Sequence, residues 1–390
     1  MAGGSAAGAL TRPAHDAWVL TGAGQADGPG EAMPDEDLVD RLRSVTGRKV
    51  PGIAIAIAGA EGLRGTAAAG HADLAAGVPA SADMVCPWFS MTKIVTASMA
   101  VRLADHGVLD LDRPVMPLVP ELAVMEPRAL AERITPRHLL SHSAGLPNPI
   151  PVRWIHPADQ PGPDPVVLLK GLLGRHRKLR FEPGTRTSYS NLGTLTLGQA
   201  MANAAGRPYS VLADDEILQP LGMRMTGFAY TPDMRARAAT GYHPRRSPMR
   251  LLLPRWVIGD PAGRWVSFHR FLLDGAAYGG LLGPALDAAR FLQMHLRDGE
   301  FDGIRILPAE SATAMRRITM NGKRLDLGLG WFRPASQRDA DPPFVEHLGG
   351  GAGFFNLIRI YPAQAVGVVV MGNATSYDID AIAGLALSRT

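Results

Sequence analysis

Ser90 and Lys93 stand three residues apart in the stretch Phe89-Ser90-Met91-Thr92-Lys93, at the head of an apolar run. Three residues is close to one helical turn, so on a helix the two side chains share a face. A serine hydroxyl becomes a useful nucleophile when an adjacent base takes its proton, and a desolvated lysine amine is such a base. The lysine also runs against the habit of the chain, which carries five lysines and thirty-five arginines. Arginine keeps its proton in a protein, whereas lysine can lose it. Ser90 is therefore a candidate covalent nucleophile and Lys93 its candidate general base.

Two more short motifs follow in order. Tyr189-Ser190-Asn191, behind Glu182-Pro183-Gly184, falls where a loop gives way to a helical pattern. His347-Leu348-Gly349 continues as Gly350-Gly351-Ala352-Gly353-Phe354 and precedes a strand pattern. Singly, each motif arises easily by chance in a chain this long. Their order and settings make the set informative.

The elements that must position these residues are legible in the periodicity. An acidic first turn at Pro34-Asp35-Glu36-Asp37 opens a helix that runs to about 46–47. Gly52 to Gly59 alternates isoleucine with alanine and reads as a strand, followed by a second strand around 65–70 in a hairpin. Thr92 to His106 is apolar on nearly every face, which places that helix in the middle of the protein, with Ser90 and Lys93 at its start. Helical patterns recur at 165–175, 192–206, 209–217 and 285–298. Strand patterns return at Leu327 to Phe332, Phe354 to Tyr361 and Val366 to Met371, before a last helix over about 377–388. Strands at both ends with helices between them predict an α/β domain built from both termini, with a mostly helical domain inserted in it. The expected division is a flexible extension over 1–33, the α/β domain from 34–137 and 276–390, and the inserted domain over 138–275.

On these motifs the chain resembles the serine β-lactamase and penicillin-binding-protein superfamily, in the class C-like branch that includes family VIII carboxylesterases and D,D-peptidases. Gly107 to Val115, Ile134 to Leu146 and Tyr278-Gly279-Gly280-Leu281 are similar to stretches of that branch. The resemblance implies an antiparallel sheet flanked by helices, of the β-lactamase/transpeptidase type. Ser90 would attack a carbonyl to form an acyl-enzyme, with Lys93 as base. Tyr189 would relay the proton, its pKa lowered by the neighbouring ammonium. Asn191 would donate to the substrate and steady Lys93. The backbone N–H groups of Ser90 and Gly350 would form the oxyanion hole, where one donor is worth about 2.7–4 kcal/mol. His347 and Gly349 would line the substrate, and Trp331 is expected to face the site from a strand beside that of His347.

The third motif departs from the lactamase pattern, which has Lys-Thr-Gly there. His347 is largely neutral at pH 7 and Leu348 lacks a hydroxyl, so the site is less anion-seeking and suits a neutral ester. A carboxylesterase acting on short-chain esters is the reading this favours. A D-amino-acid amidase, D,D-peptidase or weak β-lactamase is the alternative by the same mechanism, and a catalytically silent binding protein on the same fold is the third.

Composition sets the remaining bounds. At 390 residues the chain is long enough for two or three domains. No apolar run of about eighteen residues occurs, so no membrane span is expected, and the first thirty residues lack a signal-peptide pattern, which points to the cytoplasm. The net charge of +4 comes with basic runs such as Arg175 to Arg180, but no interleaved aromatics mark a nucleic-acid surface. Cys86 reads as a small buried hydrophobe. His138 and His142 have metal-ligand spacing with no third ligand nearby, so no metal or other cofactor is expected. The partner is a small-molecule ester or amide; residues 147–170 and 240–275 are expected to shape the pocket rim, and the oligomeric state is left open.

Overall fold

Both faces of the strand Gly52–Gly59 are buried in the computed structural model, which describes residues 36–46, 49–248 and 252–389. The extension expected over 1–33 lies outside the described residues. Alternation along this strand divides the interior in two, because successive side chains point to opposite faces. Ile53, Ile55 and Ile57 enter one apolar cluster with Leu38, Leu42, Val368, Val370 and Ile382. Ala54, Ala56 and Ala58 enter the other, with Ile94, Val95, Phe291 and Leu292. Their small side chains let the helix Ala285–Leu296 lie close to the sheet.

Among the described residues the sheet has eight strands. Their order is Leu325–Leu327, Phe332–Pro334, Val345–Gly351, Phe354–Tyr361, Val366–Gly372, Gly52–Gly59, Gly62–Asp73 and Val78–Pro79. Every pairing is antiparallel, with Ile55 opposite Val370 and His347 opposite Ile358. Strands from early and late in the chain thus meet at its centre, in a mixed α/β fold whose large antiparallel sheet is flanked by helices. Helices Glu36–Thr46 and Ile379–Ala383 contribute to one apolar cluster, and Thr92–Asp105 and Ala285–Leu296 to the other.

Three elements differ from the sequence expectation. The strand expected over Leu327 to Phe332 is two short strands, separated by a turn in which Gly330 adopts a left-handed φ of 84°. The terminal helix is a short α-helix, Ile379–Ala383, that tightens into a 3-10 helix over Gly384–Arg389. The middle of the chain carries the expected helices Pro165–Arg175 and Asn191–Ala205. It also holds two small sheets, one joining Tyr242–Pro244, Ile258–Ala262 and Trp265–Phe268, the other joining Ile155–Pro157 to Phe271–Leu273. These strands are too short for alternation to announce them.

The helix Thr92–Asp105 buries eleven of its residues, among them Thr92, Lys93, Thr96 and Ser98. It ends before Gly107, whose φ of 73° suits the left-handed position after a helix. Among the described residues no helix is long and apolar enough to cross a membrane.

Candidate active site

Ser90 sits in a 3-10 turn, Phe89–Met91, that runs directly into the helix Thr92–Asp105. Phe89, just before it, has a left-handed φ of 48°. A bulky residue rarely adopts that conformation, and such strain concentrates at functional turns. The segment Ala277 to Leu281 holds this turn in place. Trp88 N–H donates to the Leu281 carbonyl at 2.8 Å, and Leu281 N–H donates to Thr92 Oγ1 at 3.2 Å. Thr96 Oγ1 donates to the Ala277 carbonyl at 2.7 Å. Gly279 makes the approach possible, since a Cβ there would stand 3.4 Å from the Phe89 carbonyl carbon and 2.7 Å from the Leu273 side chain.

Lys93 is 3 % exposed. Its Nζ is hydrogen-bonded to Ser90 Oγ at 3.1 Å and donates to the Tyr278 carbonyl at 2.6 Å. The same nitrogen lies 4.9 Å from the centre of the Tyr189 ring and 5.4 Å from that of Tyr278. Burial takes the amine well below the usual lysine pKa. The expected support from Asn191 is supplied instead by the Tyr278 carbonyl, a backbone atom that residue types cannot reveal.

Tyr189 stands over this pair, its ring centre 4.9 Å from Lys93 Nζ and its phenol close enough to Ser90 to feel it. Burial raises its pKa, and the nearby Ser90 hydroxyl opposes that rise only in part. The lowered phenol expected from the sequence is thus reversed, because burial of the phenol outweighs what its neighbours contribute. Tyr189 is a protonated phenol at neutral pH, able to pass a proton on while accepting another.

Ser190 caps the helix Asn191–Ala205 by accepting the Gly193 N–H at 2.9 Å. This cap fixes Asn191 at the first helical position, where it lines the cleft beside Ser90. Its Oδ1 is buried without a hydrogen-bond partner among the described residues. Its N–H donates to Asn148 Oδ1 at 2.9 Å.

The glycine run packs closely on the turn that carries Ser90. A Cβ on Gly349 would lie 2.0 Å from the Trp88 carbonyl oxygen, and one on Gly351 would lie 2.2 Å from the Phe89 ring. The strand can therefore press against the turn that carries Ser90, which brings Gly350 into the same cleft.

His347 is 1 % exposed and is not among the side chains lining that cleft. Its Nδ1–H donates to the Leu348 carbonyl at 2.8 Å. The ring packs edge-on to Phe332 with centroids 4.7 Å apart, and lies 6.3 Å from the Tyr189 ring. Burial first, then Lys93, keep its pKa well below the usual histidine value. Trp331, expected to face the site, is fully buried in the core, with its indole edge-on to His295 at 5.1 Å. It falls in the turn between two strands, so strand alternation does not govern its direction.

The cleft beside Ser90 has a volume of about 330 Å³. Its walls are apolar: Phe89, Val152, Ile155, Leu253, Phe271 and Leu273. Val152 and Ile155 come from the first of the two expected rim segments, and Leu253, Phe271 and Leu273 from the second. A larger cavity of about 580 Å³ lies between the helices Pro165–Arg175 and Asn191–Ala205 and contains none of the candidate residues. Cys86 is fully buried, and burial raises its thiol pKa. His138 and His142 do not converge on a common point: His138 Nδ1 accepts the Thr135 N–H, and His142 Nδ1 accepts the Ser190 N–H. Sequence reasoning had no role for Tyr278 or His142. Their signals were membership of family-like stretches and, for His142, its spacing from His138.

The Beta-lactamase family profile matches residues 36–387. D-alanyl-D-alanine-carboxypeptidase/endopeptidase AmpH of Escherichia coli K12 is 29 % identical over 297 residues, covering 74 % of this chain and 71 % of that protein. Esterase EstB of Burkholderia gladioli is 30 % identical over 284 residues, covering 68 % and 69 %. Among solved structures, the octameric penicillin-binding protein homologue from Pyrococcus abyssi superposes with a TM-score of 0.71 at 26 % identity, over 90 % of this chain and 75 % of that one.

Proposed function

The chain belongs to the beta-lactamase family, a family of serine hydrolases, and from that premise we propose that it is a carboxylesterase cleaving small neutral esters through an acyl-enzyme. Ser90 Oγ attacks the ester carbonyl while Lys93, uncharged, takes its proton. Tyr189 delivers a proton to the departing alkoxide, and the N–H groups of Ser90 and Gly350 receive the developing oxyanion. Water then attacks the Ser90 ester by the same route in reverse, releasing the carboxylic acid. Asn191 borders the reacting carbonyl.

The observation that carries this reading is the character of the cleft. Among the described residues lining it, none has an ionised side chain; the polar members are Ser90, Asn191 and Tyr278, whose phenol burial keeps protonated. A peptide ending in a carboxylate would find no cation there, and an aminoacyl amide no anion for its ammonium. Desolvating either charge without a partner is costly. A neutral ester with an apolar acyl group avoids that cost.

Purified protein assayed with p-nitrophenyl acetate and butyrate, nitrocefin and a D-alanyl-D-alanine peptide at matched concentration tests the order. Esters are expected to turn over fastest. Faster hydrolysis of the peptide or of nitrocefin overturns it in favour of the amide-directed alternative, which the name of the Escherichia coli relative supports. No turnover of any of them, in protein shown to be folded, favours a silent binding role.

A further inference from the structure

Tyr189 is held from three directions by one residue. The His142 carbonyl accepts the Ser188 N–H at 2.9 Å, and its ring Nδ1 accepts the Ser190 N–H at 3.3 Å. Between these two bonds the imidazole packs on the Tyr189 ring, with centroids 4.5 Å apart and planes tilted by 38°. The residues on both sides of Tyr189, and the ring of Tyr189 itself, are therefore tied to His142. To do this, His142 adopts a left-handed φ of 50°, a conformation open mainly to Gly, Asn, Asp and His.

The helix that follows does not need these bonds for its own start. Ser190 Oγ already caps it through the Gly193 N–H and donates to the Pro147 carbonyl at 2.8 Å. An Nδ1 that accepts places the ring proton on Nε2 and requires an uncharged ring. Burial, then the nearby Lys93, secures that by holding the His142 pKa to about 3.

We propose that His142 is the positioning residue for Tyr189, its carbonyl, ring nitrogen and ring face together setting the phenol against Ser90. This rests on the reading of Tyr189 as proton relay. Acting through Tyr189, His142 governs the proton-transfer steps and leaves substrate binding nearly untouched.

The test compares His142→Gly and His142→Asn, each in the wild-type and the Tyr189→Phe background, with p-nitrophenyl butyrate as substrate and circular dichroism as the check on folding. Both replacements tolerate a left-handed backbone, and Asn Oδ1 offers an acceptor near the place of Nδ1. His142→Gly is expected to lower kcat about ten- to a hundredfold, the scale of a misplaced catalytic group, with KM within about twofold. His142→Asn should recover most of that loss. In the Tyr189→Phe background, His142→Gly should change kcat by less than about twofold, because the group it positions is gone. If the glycine variant does not fold, His142→Ala takes its place in the same comparison.

A wild-type kcat in His142→Gly, or an equal loss in both backgrounds, overturns the positioning role alone. If Tyr189→Phe by itself leaves turnover unchanged, the relay reading fails and this inference fails with it.

Discussion

Lys93 Nζ lies 3.1 Å from Ser90 Oγ while donating to the Tyr278 carbonyl at 2.6 Å. Burial is the cause that moves this amine, well downward from the ordinary lysine range. The arrangement favours a lone pair over a charge beside the hydroxyl. The carbonyl takes one N–H, and the remaining lone pair is free to face the Ser90 proton.

The pH dependence of kcat/KM follows from this. Ester hydrolysis should rise with pH as Lys93 gives up its proton, with a midpoint well below the lysine reference of about 10.4. The two histidines near Tyr189 add no limb of their own near neutrality. His142 is held to about 3, and His347 is also pushed well down. Stopped-flow or steady-state rates between acid and alkaline buffers check this. A midpoint at the ordinary lysine value contradicts it.

Stability should carry the opposite mark of the same proton. In the folded state the Lys93 pKa is depressed, so between its folded and unfolded values the unfolded chain binds the extra proton. Stability from this group therefore increases as pH rises toward the unfolded value, and its cost is greatest at lower pH. Compared with Lys93→Met, the wild type should gain stability as pH rises from 7 toward 10, while the variant has no esterase activity. Denaturant titrations of both proteins across that range measure the difference, and a difference that stays flat tells against a depressed Lys93.

Gly349 and Gly350 should respond differently to alanine. A Cβ at Gly349 meets the Trp88 carbonyl oxygen at 2.0 Å, a backbone atom that cannot swing aside, whereas at Gly350 the nearest atom is in the Phe355 ring at 3.2 Å. Gly349→Ala is expected to cost about 1–3 kcal/mol through overpacking and to lower kcat about a hundredfold by shifting the strand from Ser90. Gly350→Ala keeps its N–H and should stay within about tenfold of wild type. Equal activity in the two variants would remove the close approach from the account.

The strand that bears His347 is pinned by a buried ion pair. Arg359 Nε donates to Glu346 Oε2 at 2.8 Å, directly across from it in the register, and the guanidinium stands 3.9 Å from the centre of the Phe344 ring. Glu346 is 1 % and Arg359 4 % exposed. Arg359→Met leaves the carboxylate buried without its cation and should cost about 3–5 kcal/mol, read from the midpoint of chemical denaturation. A loss below about 1 kcal/mol would mark the pair as dispensable.

Much of the scaffold was legible because periodicity survives folding. The isoleucine–alanine alternation of Gly52–Gly59 and the all-round apolar character of Thr92–Asp105 each describe a burial pattern, and burial patterns are what the structure displays. The nearness of Ser90 and Lys93 was legible for the same reason, since one helical turn separates them. What escaped was decided by long-range packing. The Tyr278 carbonyl that holds Lys93 is a backbone atom 185 residues away in sequence. The direction of the Tyr189 pKa depended on how deeply its neighbours bury it, which spacing does not encode. Trp331 was assigned to a strand, and a left-handed glycine beside it turned the chain instead. His142 stands out in the sequence for its distance from His138 and its place in a family-like stretch, yet its contacts are with Tyr189 and the residues flanking it.

Intact-mass analysis with peptide mapping, after incubation with a fluorophosphonate, tests the central claim most directly. The reagent reports whether a serine here is activated for attack at an electrophilic centre, independently of the natural substrate. A single adduct on the peptide containing Ser90, absent from Lys93→Met, is the predicted result. An unmodified folded protein, an adduct on another residue, or undiminished labelling of Lys93→Met would contradict it.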